Sequence, residues 1–394
     1  MKVLVPSSKS VTQRALLAAA LAEGQSEIRD ALWCDDSEAL TRGLRQMGVA
    51  IEWDGTTVTV RGRRALSAPS DPLTLGNAGT AVRFLTGAAL VTDGAVTIDG
   101  VEAMRRRPMP GLLDALAALG LSWSCSGRPA CPPVTLYPAK GPIRHSVALD
   151  PAGSSQQVSA LLLAAPNLDE GLEIRLTSHL PSRPYVDLTV EVMEAFSAEV
   201  KTSDSTRLVV HPSPYRPSSY RVEGDHSSAS YVLAASWLTG TDVEIPNLNP
   251  DSKQPDRVFA RLLQRLDEEG DLTLNLNDSP DIAPTMAVCA LFRKAETIIS
   301  GIGHLRIKET DRLTILASQL ERIGAKIHVR EDGWRIEPAT LAGPANLDPH
   351  QDHRMAMCFG LLSLRVRRIT ITDRPCVSKS YPEFWTMLDR FGPR

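Results

Sequence analysis

No apolar run in this 394-residue chain approaches the ~20 residues that cross a bilayer, which excludes a helical membrane protein. The opening Met1-Lys2-Val3-Leu4-Val5-Pro6 is too short for a secretory leader and reads as a strand. No two of the six cysteines form a C-x-x-C pair, and Cys289 and Cys358 sit inside apolar helical stretches. That usage fits free thiols in a reducing cytoplasm. The eight histidines show no metal-ligand spacing, so no metal is expected. There is no Walker loop, nucleophile elbow, dinucleotide fingerprint or low-complexity segment, and no cofactor is expected. A formal net charge of −3 argues against a partner such as polymeric nucleic acid, which is held by counterion release. The 43% hydrophobic content is that of an ordinary globular protein, long enough for two domains with separate cores.

What the chain does have is a large, degenerate repeat. Six times a cluster of small polar residues runs straight into an apolar helical stretch. The openers are Ser7-Ser8-Lys9-Ser10, Gly76-Asn77-Ala78-Gly79-Thr80, Gly153-Ser154-Ser155-Gln156, Gly224-Asp225-His226-Ser227-Ser228, Ser279-Pro280-Asp281 and Gln351-Asp352-His353-Arg354. Marked by Lys9, Asn77, Ser154, Ser227, Asp281 and Asp352, the steps are 68, 77, 73, 54 and 71 residues. Each unit predicts a helix with a polar start and a body buried on most sides.

Between these helices lie short runs with period-two alternation, including 58–61, 172–176, 208–211, 243–245, 297–300 and 368–372, which read as half-buried strands. Second helices are predicted at 115–119, ending at Gly120, at 187–196, and at 313–323, ending at Gly324. The pattern predicts an α/β (α+β) protein of two domains with three units each. The 54-residue step and the polar stretch 213–219 mark the middle as the boundary.

A helix start carries free N–H groups and a partial positive charge, so it suits phosphate or carboxylate as well as a capping side chain. Capping alone does not require the cations Lys9, Arg14, Arg83, His353 and Arg354, which suggests a multiply anionic small molecule. Arg306-Ile307-Lys308-Glu309-Thr310-Asp311-Arg312 sets carboxylates among cations, either as a charged helix start or as an acid–base group beside anion ligands. Asp281 is a second candidate carboxylate, or a cap before Pro284; Asp225 is equally a cap. In Arg105-Arg106-Arg107-Pro108, Pro108 restricts Arg107 to extended geometry, which would fix one guanidinium for bidentate contact with an anion. Lys379 is a lone lysine in a small-residue loop.

Taken in order, these motifs resemble the 5-enolpyruvylshikimate-3-phosphate (EPSP) synthase family over nearly the whole chain. Pro6-Ser7-Ser8-Lys9-Ser10 with Arg14 is similar to its P-G-S-K-S-x-x-x-R, and residues 75–83 are similar to its L-G-N-A-G-T-x-x-R. Arg107-Pro108, Ser154-Ser155-Gln156, Ser182-Arg183-Pro184-Tyr185, Glu223-Gly224-Asp225, Pro280-Asp281, the stretch 306–312, Asp352-His353-Arg354 and Lys379 follow. The resemblance implies a transferase that joins shikimate 3-phosphate to phosphoenolpyruvate and releases phosphate. It implies two domains of three βαβαββ units, 8–223 and 1–7 with 224–394, with the substrate cleft between them and closure on the substrates. It further implies that Lys9, Ser10, Arg14, Ser154, Ser155, Gln156, Ser182, Tyr185, Asp281, His304 and Lys308 meet shikimate 3-phosphate. Lys9, Asn77, Gly79, Arg83, Arg107, Gln156, Arg312, Arg354 and Lys379 would meet phosphoenolpyruvate, and Asp281, Glu309 and Lys9 would be catalytic. A monomer in the cytoplasm, inhibited by glyphosate, is the family expectation.

Ser7 stands where the family usually has glycine, which is expected to alter the hinge turn; Phe84 and Ala103 stand where some members have proline and arginine. His304 and Gln351 each replace a common asparagine. Other readings are the sister UDP-N-acetylglucosamine enolpyruvyl transferase, an idle anion-binding paralogue, and an RNA-end-processing relative. The first opens with Lys-Asn where this chain has Lys9-Ser10, and carries a loop cysteine where 102–110 has none. The carboxylates Asp281 and Glu309 argue against the second, and the acidic balance against the third.

Overall fold

A computed structural model describes residues 1–151, 154–202 and 204–392. Gly153, in the third polar opener, lies outside the described residues. The chain forms two compact units, one of residues 7–223 and one of 1–6 with 224–394, each with its own apolar core.

All six polar openers lead into helices: Lys9–Leu21, Gly79–Ala88, Ser155–Ala164, His226–Thr239, Ala283–Ala290 and His353–Leu362. Their sequences are apolar nearly all round, so they have no solvent face and are buried along almost their whole length. Close packing follows from small residues: a Cβ at Gly87 would lie 2.5 Å from the Ala160 carbonyl oxygen of the neighbouring helix. The sheets carry the polar surface, because their strands alternate buried and exposed residues, as in Val134–Tyr137 and Ser146–Leu149.

Four units share one sheet plan, a parallel pair followed by two antiparallel strands. In the second unit Leu73–Thr74 pairs parallel to Val96–Asp99, which pairs antiparallel to Val134–Tyr137, and that strand to Ser122–Cys125. With the helices Gly79–Ala88 and Pro110–Leu119 in sequence order this is βαβαββ. The unit starting at Lys9 borrows its parallel strand from far along the chain, since Ser219–Arg221 pairs with Glu27, Ile28 and Arg29. The polar stretch 213–219 therefore leads into a closing strand rather than forming a slack linker, and its Tyr215 is buried.

Two units are abbreviated. Between the helices His226–Thr239 and Ala283–Ala290 the described residues hold no antiparallel pair, which accounts for the short 54-residue step. The runs at 1–6 and 243–245 contribute a single parallel bridge, Lys2 to Glu244, instead of full strands. The last unit keeps only the parallel pair Ala345–Leu347 and Ile369–Ile371.

Each crossing of the chain between units is tied down locally. Asp225 N donates to Pro6 O at 2.9 Å, and Asn247 bridges Val5 N at 3.2 Å and Val5 O at 2.7 Å. Gly224 N donates to Asn247 O at 3.1 Å, and a Cβ there would meet that oxygen at 2.5 Å, so only glycine fits. Ser7 is absent from the residues with positive φ, so the want of glycine there strains nothing.

Candidate active site

The densest charged cluster lies in the unit of 1–6 and 224–394. Arg312 opens the helix Arg312–Glu321, whose cap is Asp311, and its side chain is only 2% exposed. Its guanidinium spreads over three carboxylates: Nε donates to Asp352 Oδ2 at 2.8 Å, Nη2 to Glu309 Oε2 at 2.7 Å, and Nη1 to Asp281 Oδ1 at 3.3 Å. Lys379 Nζ donates to the other Glu309 oxygen at 2.7 Å, and Arg354 Nη2 to the other Asp281 oxygen at 2.8 Å. Burial opposes the charge on Arg312, but Asp352, Glu309 and Asp281 more than offset it and raise its proton affinity.

Asp281 does not cap its helix; it lies in the 3₁₀ turn Pro280–Ile282, before Ala283–Ala290, with both oxygens facing arginines. It and Glu309 are brought together through Arg312, so the two carboxylates share one buried cation. His304 stands in the preceding turn. Burial, and then Lys308, push its imidazole down to about 4, so the ring is neutral at pH 7. Its Nε2 is buried without a hydrogen-bond partner among the described residues.

In the unit of 7–223 the helix Gly79–Ala88 begins at Ala78, which has no side chain able to cap it. That start, where Gly79 N donates back to Asn77 O at 3.1 Å, is flanked by two buried arginines. Arg83 Nη1 donates to Gly79 O at 3.0 Å, and a Cβ on Gly79 would lie 2.8 Å from Arg107 Nη2. Of the three adjacent arginines, Arg105 pairs with Asp99 and Arg106 with Glu102 at the surface, while Arg107 turns inward with φ −100° and ψ 101°. Pro108 explains that extended backbone. Gln156 Nε2 donates to Thr80 Oγ1 at 3.0 Å, which ties the Ser154-Ser155-Gln156 helix start to this one. An uncapped helix start with two arginines is suited to a small anion.

Arg14 plays a different part. Its Nε donates to Thr189 Oγ1 at 2.8 Å, Nη1 to Ser10 O at 2.8 Å and Nη2 to Tyr185 O at 3.1 Å. Burial lowers its proton affinity, to about 10. The Phe84 ring lies 5.5 Å from the guanidinium, so the departure at Phe84 covers Arg14 instead of disturbing it. Arg14 thereby fixes the backbone of Ser10 and Tyr185. Ser182, just before Tyr185, has φ 54°, a left-handed backbone that sets the turn into Pro184–Ala195. Lys9 pairs with buried Asp36 at 2.9 Å.

Asp352 and Thr80 were named from sequence only within motifs, and Asp36 and Asp256 not at all. Asp352, fully buried, joins Arg312 and caps its own helix; its place inside Asp-His-Arg was the available signal. Asp36, paired with Lys9, and Asp256, which accepts from Ser227 Oγ at 2.6 Å, meet partners from other segments and had none.

Solved structures place this architecture. The EPSP synthase from Acinetobacter baumannii superposes with a TM-score of 0.80 at 25% identity, covering 100% of this chain and 95% of that one. The enolpyruvyl transferase NikO from Streptomyces tendae does so with a TM-score of 0.76 at 18% identity, covering 99% and 94%, a likeness of fold alone. Fold and charged cluster thus define an α/β protein of the enolpyruvyl transferase type. In sequence, the family described as EPSP synthase (3-phosphoshikimate 1-carboxyvinyltransferase) matches residues 1–388. The 3-phosphoshikimate 1-carboxyvinyltransferases of Methanothermobacter thermautotrophicus and Rhizobium leguminosarum bv. trifolii are each 40% identical, over 100% and 99% of this chain and 96% and 94% of their own. That of Methanospirillum hungatei is 37% identical over 98% of this chain and 94% of its own. The chain belongs to the EPSP synthase family.

Proposed function

We propose that the chain transfers the enolpyruvyl group of phosphoenolpyruvate to the 5-hydroxyl of shikimate 3-phosphate, releasing phosphate, as a step of aromatic amino acid biosynthesis. The observation that carries this is the pair Asp281 and Glu309, set around one arginine with Arg354 and Lys379 on their outer oxygens. Addition needs a proton removed from the hydroxyl and a proton given to the methylene carbon. Elimination from the tetrahedral intermediate then takes a proton from the new methyl group as phosphate leaves. Two positioned carboxylates supply such transfers, and flanking cations stabilise the anions that develop.

In the 7–223 unit, Lys9, Ser10, Arg14, Ser154, Ser155, Gln156, Ser182 and Tyr185 are assigned to shikimate 3-phosphate, with Arg14 acting by holding Ser10 and Tyr185. Lys9, Asn77, Gly79, Arg83, Arg107 and Gln156 of the same unit are assigned to phosphoenolpyruvate, and Lys9 also to catalysis. In the other unit, Asp281 and Glu309 move protons, His304 and Lys308 are assigned to shikimate 3-phosphate, and Arg312, Arg354 and Lys379 to phosphoenolpyruvate. Glyphosate, itself anionic, competes beside Gly79. The chain works in the cytoplasm, as a monomer; its six cysteines are free and four are buried, as a reducing compartment favours.

The test is phosphate release from phosphoenolpyruvate with and without shikimate 3-phosphate, beside Asp281→Ala. Release that depends on shikimate 3-phosphate and collapses in the variant supports the assignment. Binding of both compounds without release would leave the idle paralogue as the better reading.

A further inference from the structure

Three of the residues assigned to shikimate 3-phosphate stand in the first turns of helices of the 7–223 unit: Ser10 in Lys9–Leu21, Ser155 in Ser155–Ala164 and Tyr185 in Pro184–Ala195. Four residues further along each helix, and so on the same face one turn below, stand Arg14, Ser159 and Thr189. Ser159 and Thr189 are fully buried, and Arg14 is 2% exposed. Neither Ser159 nor Thr189 is among the residues assigned to substrate. The three form one hydrogen-bonded knot. Arg14 Nε donates to Thr189 Oγ1 at 2.8 Å, the Ser159 and Thr189 hydroxyls lie 2.8 Å apart, and Thr189 Oγ1 lies 2.7 Å from the Tyr185 carbonyl oxygen.

Counting hydrogens fixes the direction of every bond. A threonine hydroxyl has one hydrogen and two lone pairs. A carbonyl oxygen can only accept, so the Thr189 hydrogen goes to Tyr185 O. Thr189 Oγ1 then accepts from both Arg14 Nε and Ser159 Oγ, which uses its full capacity. The same guanidinium returns to the helix starts, with Nη1 on Ser10 O at 2.8 Å and Nη2 on Tyr185 O at 3.1 Å. The rings of Phe84 and Tyr185 lie 5.5 and 6.0 Å from it. A buried polar group that loses its partner is costly, so the knot holds the three helices in one register. Lys9 and Gln156, assigned to both substrates, have separate anchors, Asp36 at 2.9 Å and Thr80 at 3.0 Å.

We propose that Thr189, with Ser159, is a positioning residue for shikimate 3-phosphate: it locks three helices one turn below Ser10, Ser155 and Tyr185, so that those residues meet the substrate as a preformed set. This rests on the reading that shikimate 3-phosphate binds at these helix starts. Without the knot the three starts shift relative to one another, and part of the binding energy goes into bringing them back. Phosphoenolpyruvate is affected little. Its arginines Arg83 and Arg107 stand on other elements, and Lys9 and Gln156 keep their own anchors.

The test uses the whole chain, with Thr189→Val, Thr189→Ser and Ser159→Ala. Valine keeps the shape of threonine and removes the hydroxyl; serine keeps the hydroxyl. Calorimetric titration with shikimate 3-phosphate alone is expected to show Kd weakened roughly tenfold in Thr189→Val and about threefold in Ser159→Ala. Thr189→Ser is expected to stay within about twofold of the unaltered chain. The KM for phosphoenolpyruvate, and kcat at saturating shikimate 3-phosphate, are expected to change by less than about threefold throughout. A merely structural loss would lower the folded fraction, and with it the titration stoichiometry and kcat together, while leaving Kd and both KM values alone. That result overturns the proposal, as does an unchanged Kd in Thr189→Val or a serine variant as weak as the valine one. If Thr189→Val does not fold, the Kd of Ser159→Ala decides in its place. Equal binding by all the proteins strikes the proposal alone. Binding by none of them, the unaltered chain included, strikes the functional reading and the proposal with it.

Discussion

Glu309, in the bend three residues before Arg312 opens its helix, meets that arginine at 2.7 Å, while Lys379 holds the other Glu309 oxygen at the same distance. Both oxygens of the carboxylate thus face cations, which favour its charged form and leave a second lone pair on each oxygen to take a proton. Glu309→Gln keeps an acceptor and the shape but cannot take a proton. It is expected to lower kcat by roughly 10²–10⁴, the usual contribution of a general acid or base, with small changes in KM. Steady-state kinetics with both substrates check this. A kcat within tenfold of the unaltered chain would remove Glu309 from the proton path.

Arg312 predicts the stability side of the same cluster. Arg312→Met leaves Asp281, Glu309 and Asp352 buried around an apolar side chain, and is expected to cost about 3–5 kcal/mol near pH 7. Denaturant midpoints of the variant and the unaltered chain measure this, and a deficit below about 1 kcal/mol contradicts the picture.

Gly79 leaves no room for a side chain because the Arg107 guanidinium fills the space, its three outer atoms at 2.8–2.9 Å from a Cβ. The obstacle is the end of a side chain that can swing, so Gly79→Ala should fold and displace Arg107. Overpacking of this kind costs about 1–3 kcal/mol, here paid in binding. Glyphosate inhibition is expected to weaken by roughly tenfold or more, with a smaller rise in the KM for phosphoenolpyruvate. Inhibition constants for the two proteins decide it, and equal values would refute the steric account.

The repeat of polar helix starts was legible because each unit needs the same apolar body and the same kind of opener. Its abbreviated members were less so: the 54-residue step records the missing antiparallel pair after His226–Thr239, yet step length alone looks like a domain boundary. The parallel pairing of Ser219–Arg221 with Gly24–Arg29 joins segments nearly two hundred residues apart, which no local pattern encodes. At the site, Asp281, Glu309 and Arg312 stood out as charges in small-residue or charged motifs. Asp36 and Asp256 did not, because an isolated aspartate looks the same whether it is solvated or buried beside a partner from elsewhere. Arg14 was visible as a cation, but its work in holding Ser10 and Tyr185 appears only once Pro184–Ala195 is packed against Lys9–Leu21.

His304 brings a pH dependence of its own. Burial and Lys308 press its imidazole from an ordinary 6.5 down to about 4. The folded chain therefore binds fewer protons than the unfolded chain between those values, and stability rises with pH across the window. The contribution is present above pH 6.5 and is lost as pH falls towards 4. His304→Asn is expected to flatten this part of the acid limb, leaving only the carboxylate contribution. Denaturant midpoints taken at half-unit steps from pH 7 to pH 4 report it. Superimposable curves for the two proteins would show that His304 is solvated like an ordinary histidine.

The approach to Asp352 carries backbone strain: His350 has φ 52° and Gln351 has φ 61°, two left-handed residues in succession. They turn the chain so that Asp352 enters the helix His353–Leu362 with its carboxylate on both Arg354 N and Arg312. Left-handed backbone costs an L residue about 1–2 kcal/mol, less for asparagine, whose short amide bonds locally. That is a physical reason for the asparagine common at this place, and for a cost where Gln351 replaces it. Gln351→Asn is expected to raise stability by about 0.5 kcal/mol, and Gln351→Val, branched at Cβ, to lower it by about 1–2 kcal/mol. Because the turn aims Asp352 at Arg312, the valine variant is also expected to lose activity, and the asparagine variant to keep it. Denaturant midpoints beside kcat separate the two effects. If all three proteins unfold alike, the turn relaxes freely and the geometry of Asp352 does not depend on it.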